Sequence, residues 1–98
     1  MIRLYSALIH KDPDSDYGAS FPDFPGCVTA GADLEELARM AAEALQLHVD
    51  DLFDDGDAIP EALAPEAVRR RAMREGAVGI LSVPLRLAGT RAARTDDA

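Results

Sequence analysis

Three aspartates near the N-terminus have the spacing of a calcium-binding loop. Asp12, Asp14 and Asp16 alternate with other residues, as in the first half of a loop that offers carboxylate oxygens to Ca²⁺. The sixth position of such a loop requires Gly and the twelfth a bidentate Glu, whereas this chain has Tyr17 and Asp23 there. The pattern therefore predicts a solvated turn rather than a calcium site, and we expect no bound metal ion.

Catalytic chemistry has few candidates among the other residues. A metal-dependent nuclease of the ribonuclease H type needs carboxylates that converge on Mg²⁺ from strands and a helix, but here they fall in turns and at helix ends. His10 and His48 have no nucleophile at a suitable spacing, and Cys27 is expected to be a small buried residue. We predict that the chain is not an enzyme and uses no cofactor; a metal-dependent ribonuclease H-like nuclease is the alternative.

Charge is distributed unevenly along the 98 residues, whose formal net charge is −8. Between Asp12 and Asp57, thirteen acidic residues accompany one arginine, whereas Arg69–Arg94 contains seven arginines and one acidic residue. An acidic body repels phosphate backbones and attracts basic partners, which argues against a protein that coats nucleic acid. The basic segment Val68–Arg74 leaves two interpretations open: a DNA-binding repressor, or pairing with the acidic helix of its own or a neighbouring chain.

The sequence lacks a recognisable targeting or membrane-spanning segment. The N-terminus has no long apolar stretch followed by a cleavage site, and the longest uncharged run, Gly76–Leu85, is shorter than the about 20 residues that a membrane helix needs. A single cysteine excludes an internal disulfide. We expect a cytoplasmic protein that does not associate with membranes.

The strands are predicted from short apolar runs that turn residues separate. Three such runs near the N-terminus are Ile2–Ile9, Tyr17–Phe21 and Cys27–Ala30. Their short connections favour an antiparallel meander, and Pro25-Gly26 supplies the fixed φ and positive φ of a type II turn. Ala77–Leu87 predicts a fourth strand, which Pro84 places at an edge or strand end.

Two helices complete the predicted α+β fold, in which one long helix and a short second helix stand between the meander and the fourth strand. Asp33 is a suitable N-cap, Glu36 completes a capping box, and Gly56 ends the long helix. The apolar stripe of this helix consists of Leu34, Leu37, Ala38, Ala41, Leu45, His48, Val49 and Leu52. The short helix begins at Pro65 and ends before Gly76.

Two further apolar residues of the long helix lie outside this stripe. Met40 and Leu47 are seven residues apart on one flank, which indicates either a broad core or a second packing face. With the small core and the edge strand, they predict an oligomer interface and a homodimer or higher even oligomer. Residues 88–98 lack apolar periodicity and are predicted to form a flexible tail after a domain of residues 1–87.

Several of these features in combination resemble the HicB antitoxin family. The run Phe21–Cys27, F-P-D-F-P-G-C, follows an acidic hairpin and precedes the capped helix Asp33–Leu45, which is similar to the family's D-x-x-E-E-A-x-x-x-A-x-E-A-L pattern. Asp55–Glu61 is similar to its D/E-G-x-x-I-P segment. The resemblance covers residues 2–87, and its specificity lies in the combination of parts.

The resemblance implies a partial ribonuclease H-like β-β-β-α-β fold and a non-catalytic antitoxin. Its implied partner is a small basic HicA-like ribonuclease toxin that cleaves messenger RNA, which the antitoxin binds and masks. We expect the turn to project Asp23 and Phe24, so the predicted partner-binding residues are Phe21, Pro22, Asp23, Phe24, Pro25 and Gly26. A turn that only fixes strand register is the alternative.

Family members often carry a C-terminal helix-turn-helix or ribbon-helix-helix that binds operator DNA. Only eleven residues follow Leu87, fewer than either module needs. We therefore do not expect this chain to bind operator DNA.

Overall fold

One mixed α/β unit is formed by the residues that a computed structural model describes, 1–87. In chain order its elements are β1 (Ile2–Lys11), β2 (Tyr17–Ser20), β3 (Val28–Gly31), α1 (Leu34–Asp54), α2 (Pro65–Glu75) and β4 (Gly79–Arg86). The strands form one sheet in the order β3-β2-β1-β4, and each neighbouring pair is antiparallel. The predicted α+β class, meander and element order are confirmed. The predicted flexible tail, residues 88–98, lies outside the described residues.

The long strand β1 organises the sheet because it pairs with two neighbours. Its last four residues pair with β2, and Ile2–Ile9 pairs with β4 so that Tyr5 lies opposite Val83. β4 is an edge strand, as Pro84 predicted, and this proline lies opposite Leu4. Proline at an edge loses no ladder hydrogen bond that an inner strand would need.

The helix α1 begins at the predicted N-cap. The Glu36 backbone N–H donates to Oδ1 of Asp33 at 2.7 Å, and the Ala32 N–H donates to Oε1 of Glu36 at 2.7 Å. The reciprocal bond of the capping box therefore comes from one residue earlier than expected. Leu34, assigned to the apolar stripe, is 53% exposed, so the buried face starts one turn later, at Leu37. Within residues 1–87, neither helix is long and apolar enough to cross a membrane.

The main core lies between α1 and one side of the sheet. Its members are Tyr5, Ala7, Ile9, Ala19, Phe21, Phe24, Cys27, Leu37, Ala41, Leu45, Val49, Val83 and Leu85. At Gly31, where β3 ends, an added Cβ would lie 2.6 Å from the backbone nitrogen of Leu37. Glycine is therefore required there because the chain turns from the strand into α1 at close range.

The helix α2 packs on the opposite side of the sheet. Leu8 is buried with Val68 and Ala72 of α2, whereas its neighbours Ala7 and Ile9 belong to the α1 core. Side chains of consecutive strand residues point to opposite faces, so α1 and α2 lie on different sides. The predicted pairing of the basic segment with the acidic helix of its own chain is therefore wrong.

Candidate protein-binding surface

Two consecutive turns shape the segment Phe21–Cys27. The Phe24 N–H donates to the Phe21 carbonyl at 3.1 Å, and the Cys27 N–H donates to the Phe24 carbonyl at 3.0 Å. The Phe21 N–H donates back to the Cys27 carbonyl at 3.3 Å and closes the segment. Gly26 has φ 89°, as the predicted type II turn requires. Pro25 and Gly26 are exposed at its tip.

The two phenylalanines of this segment face inward. Phe21 is 3% and Phe24 2% exposed. The Phe24 ring makes edge-to-face contacts with Tyr5, at 4.9 Å between centroids, and with His48, at 5.7 Å. The expectation that the turn projects Phe24 is wrong, because the double turn directs this ring into the core where it fills space between β1 and α1. Its aromatic area stabilises the fold instead.

Asp23 tethers the long connection between the two helices. Its Oδ1 accepts the Leu63 N–H at 3.1 Å, and its Oδ2 is buried without a hydrogen-bond partner in residues 1–87. Burial raises the pKa of the Asp23 carboxyl, and the hydrogen bond from Leu63 opposes this shift only in part. The Tyr5 hydroxyl donates to the Pro60 carbonyl at 2.6 Å and holds the same connection. Asp23 is thus half-buried and accepts a hydrogen bond within the chain, and its carboxylate does not project into solvent as expected.

A cleft of about 210 Å³ runs between the end of this turn and one flank of α1. We call it the turn–α1 cleft; its lining residues are Gly26, Cys27, Val28, Ala44, Leu47, His48 and Asp51. Leu47 and Val28 are each 66% exposed. The structure thus brings Gly26, predicted to bind a partner, together with Leu47, predicted to form an oligomer interface. Met40 is half-buried and does not line the cleft.

Val28, Ala44 and Asp51 line this cleft but were not predicted from the sequence. Asp51 lies one helical turn after Leu47, so helical spacing alone could have found it. Val28 could not be found in this way, because its position depends on how the turn meets α1. Arg39, the single Lys or Arg of α1, pairs with Glu36 at 3.6 Å. The outer surface of the helix is therefore strongly negative.

The geometry suits protein binding better than catalysis. Within residues 1–87, no group of three or more His, Cys, Asp or Glu side chains is arranged to hold a metal ion. Cys27 is buried, its Sγ lies 3.8 Å from the Ala44 carbonyl, and burial raises the pKa of its thiol. A thiol of that kind is a poor nucleophile. An exposed leucine, a fixed turn and nearby carboxylates instead form a surface that a basic protein can cover.

Comparison with known proteins identifies the family. The sequence profile described as "HicB_like antitoxin of bacterial toxin-antitoxin system" matches residues 5–95. The chain belongs to the HicB-like antitoxin family. The resemblance found in the Phe21–Cys27 run and the capped helix is confirmed.

Relatives of this HicB-like chain include two proteins matched over part of its length. A 14.9 kDa protein from the rep-hol intergenic region of Haemophilus phage HP1 is 37% identical over 59 residues, which are 60% of this chain and 44% of the phage protein. A UPF0150 protein of Thermotoga maritima is 35% identical over 54 residues, 54% of this chain and 72% of that protein. The chain thus matches less than half the length of the phage relative.

Solved structures share the HicB-like fold. The N-terminal domain of the Burkholderia pseudomallei antitoxin HicB has a TM-score of 0.72 and 27% identity, covering 87% of this chain and all of that one. A chain of a HicA3 and HicB3 toxin-antitoxin complex has a TM-score of 0.69 and 25% identity, with the same coverage. A Streptococcus pneumoniae toxin-antitoxin complex has a TM-score of 0.72 at 20% identity, over 92% of this chain and 73% of that one, which supports the fold alone.

Proposed function

We propose that this HicB-like chain is a non-catalytic antitoxin that binds and masks a small, basic, HicA-like ribonuclease toxin in the cytoplasm. The family is a component of toxin-antitoxin systems. One of the similar solved structures is a HicA3 and HicB3 toxin-antitoxin complex. Both support a toxin as the partner of this chain.

The turn–α1 cleft is the observation that carries the proposal. Leu47 offers an apolar anchor at its edge, while the hydrogen-bonded segment Phe21–Cys27 holds the opposite wall in place. Pre-organised surfaces lose little conformational entropy when they bind. Asp51 beside Leu47 adds negative charge where a basic toxin would approach.

Charge gives this surface its preference for a basic partner. Carboxylates on α1 and in the β1–β2 turn attract cationic groups over about 8–10 Å at physiological ionic strength, and such attraction raises association rates more than final affinity. A ribonuclease whose RNA-binding cations face these carboxylates cannot admit a phosphodiester. Inhibition follows from occlusion, with no chemical step on the antitoxin.

We expect the adjacent gene to encode a small, basic, HicA-like protein, and a binding and rescue experiment with that protein tests the proposal. The double variant L47R/D51R places two cations at the turn–α1 cleft and removes the apolar anchor. We expect toxin binding to weaken by about tenfold to a hundredfold, since central anchors contribute about 1.4–2.8 kcal/mol or more. Co-expression of the variant should no longer rescue growth.

The control for position is L34R, which places one arginine elsewhere on the same helix. Leu34 is also exposed, but lies thirteen residues earlier, about 20 Å along the helix axis. We expect L34R to bind toxin as the wild type does. Equal binding by L47R/D51R and L34R would place the contact elsewhere on the chain. Magnesium-dependent cleavage of a fluorescent RNA by the antitoxin alone would overturn the non-catalytic assignment.

A further inference from the structure

The outward surface of α2 is basic, because the helix carries four arginines and only two glutamates, Glu66 and Glu75. Arg69, Arg70 and Arg74 are exposed. Among residues 1–87, only Arg71 of this helix forms an ion pair, with Glu75 one turn later. Glu66 lies three and four residues before Arg69 and Arg70, so α2 keeps an excess of two positive charges, which an acidic surface that covers the helix would neutralise.

An apolar groove lies beside Arg69. It has a volume of about 290 Å³ and lies between the end of α2 and the start of β4, lined by Arg69, Ala72, Met73, Ala77, Val78, Gly79 and Ile80. Met73 is 83%, Val78 61% and Ile80 43% exposed. Arginine and methionine are enriched at protein–protein interfaces. A phosphate backbone, in contrast, has no apolar surface that these side chains could pack against. The composition favours a protein over a nucleic acid.

The acidic surface that fits this groove is present on the same chain but out of its reach. On α1, exposed Leu47 has Glu43 one turn before it and Asp51 one turn after it. This arrangement, one apolar side chain between two carboxylates, complements an apolar groove beside arginines. Because α1 and α2 lie on opposite sides of the sheet, the two surfaces can meet only between molecules.

We propose that the α2 groove of one copy docks on the α1 flank of a second copy, with Leu47 in the groove and Glu43 and Asp51 facing Arg69, which lines the groove, and its exposed neighbours Arg70 and Arg74. The contact joins two different surfaces, so it is head-to-tail and repeats into rings or short chains. One helix face and a small groove bury less than the about 1,200–2,000 Å² of a standard interface. We therefore expect weak, salt-sensitive association that rises with protein concentration.

The proposed contact between copies and the proposed toxin site both use Leu47, but only the contact between copies uses α2. A toxin seated on the turn–α1 cleft would exclude the second copy, and self-association would fall as toxin is added. The toxin site proposed above includes no residue of α2. Variants of α2 therefore separate the two proposals.

Sedimentation velocity over a wide concentration range, with the full chain, tests the contact. The variants R70E/R74E and E43K/D51K each make both surfaces alike in charge, and we expect each to self-associate at least about tenfold more weakly than the wild type. An equimolar mixture should regain association, because each surface again meets its opposite charge. D14K/D16K changes the net charge as much as E43K/D51K does, but in the β1–β2 turn, and should associate as the wild type does.

The outcomes separate the possible occupants of the groove. Three results would each overturn the contact. The wild type could stay monomeric at every concentration, or R70E/R74E could associate as strongly as the wild type. The third is that the two folded variants fail to associate when they are mixed. DNA or RNA retention that R70E/R74E abolishes would assign the arginines to phosphates instead. R70E/R74E should lose self-association and still bind toxin, because its substitutions lie outside the turn–α1 cleft. Loss of toxin binding by L34R and L47R/D51R alike would contradict only the proposed toxin site.

Discussion

The two sides of the sheet differ in how completely they are covered. On the α1 side, thirteen buried residues form one core. On the α2 side, the buried cluster consists of Leu8, Val68 and Ala72. β1 contributes to both sides, yet Ile2 and Leu4 on the α2 side are 62% and 58% exposed. The side chains of β1 are thus buried by packing on the α1 side, whereas part of its apolar surface on the α2 side stays exposed.

Helix length accounts for the difference. The 21 residues of α1 extend about 31 Å, and the 11 residues of α2 about 16 Å. The ten residues of β1 extend about 33 Å. In keeping with these lengths, α1 packs against β2, β3 and β4, whereas α2 packs against β4 and Leu8 of β1. More of the buried apolar surface therefore lies on the α1 side.

Replacing Phe24 by Ala should have the largest effect on the fold. The ring is 2% exposed between Tyr5 and His48, and loss of a buried phenylalanine costs about 3–5 kcal/mol. We expect the free energy of unfolding in urea to fall by that amount. Met73 on the α2 side is 83% exposed, so M73A should change it by less than about 0.5 kcal/mol.

Because Phe24 is part of the core, substitutions in the Phe21–Cys27 segment can unfold the protein. A combined replacement of Asp23 and Phe24 would lose toxin binding through loss of folding, and would say nothing about contact. If F24A unfolds at the same urea concentration as the wild type, Phe24 lies at the surface as the sequence analysis expected. The α1 core would then be smaller than described.

Features specified by neighbouring residues were predictable from the sequence. The Asp33 cap, the left-handed Gly56 and Gly76 and the turn at Gly26 all depend on residues within one or two turns. The stripe of α1 was found because helical spacing is a local property, and Pro84 marked an edge because proline lacks an N–H. These signals established the element order and the meander.

Features that depend on distant residues were not predictable. The inward position of Phe24 is set by Tyr5 and His48, which are far from it in sequence. The bond between Asp23 and Leu63 joins residues 40 positions apart. No local pattern states which side of a sheet a helix covers, so the separation of the acidic and basic surfaces emerged only from the fold.

A matched pair of valine substitutions sharpens the comparison of the two sides. Val49 on the α1 side and Val68 on the α2 side are 3% and 2% exposed. Truncation to Ala removes the same atoms, worth about 1.6 kcal/mol in transfer free energy. We expect V49A to cost about 2–3 kcal/mol, because its surroundings cannot collapse into the cavity, and V68A about 1–2 kcal/mol. Equal losses in urea unfolding would mean that the α2 side is as tightly packed as the α1 side.

The smallest expected effect is a pH dependence at Asp23. Burial raises the pKa of this carboxyl in the folded state, so the folded protein holds the proton more tightly than the unfolded chain. Its contribution to stability is therefore present below the ordinary aspartate pKa of about 3.9 and is lost as pH rises through the raised folded value. D23N keeps an oxygen to accept the Leu63 N–H but does not ionise, and lacks this decline.

Urea unfolding of D23N and the wild type at a series of pH values measures this difference. The stability of D23N relative to the wild type should increase as pH rises from strongly acidic values and then level off at neutral pH. D23A should be about 1 kcal/mol less stable than D23N at every pH, because neither variant ionises and D23A also lacks the acceptor for the Leu63 N–H. D14N, in the exposed β1–β2 turn, serves as the control and should follow the wild type. An advantage of D23N that shrinks as pH rises would mean that a cation stabilises the carboxylate, so Asp23 would be free to meet the cations of a toxin.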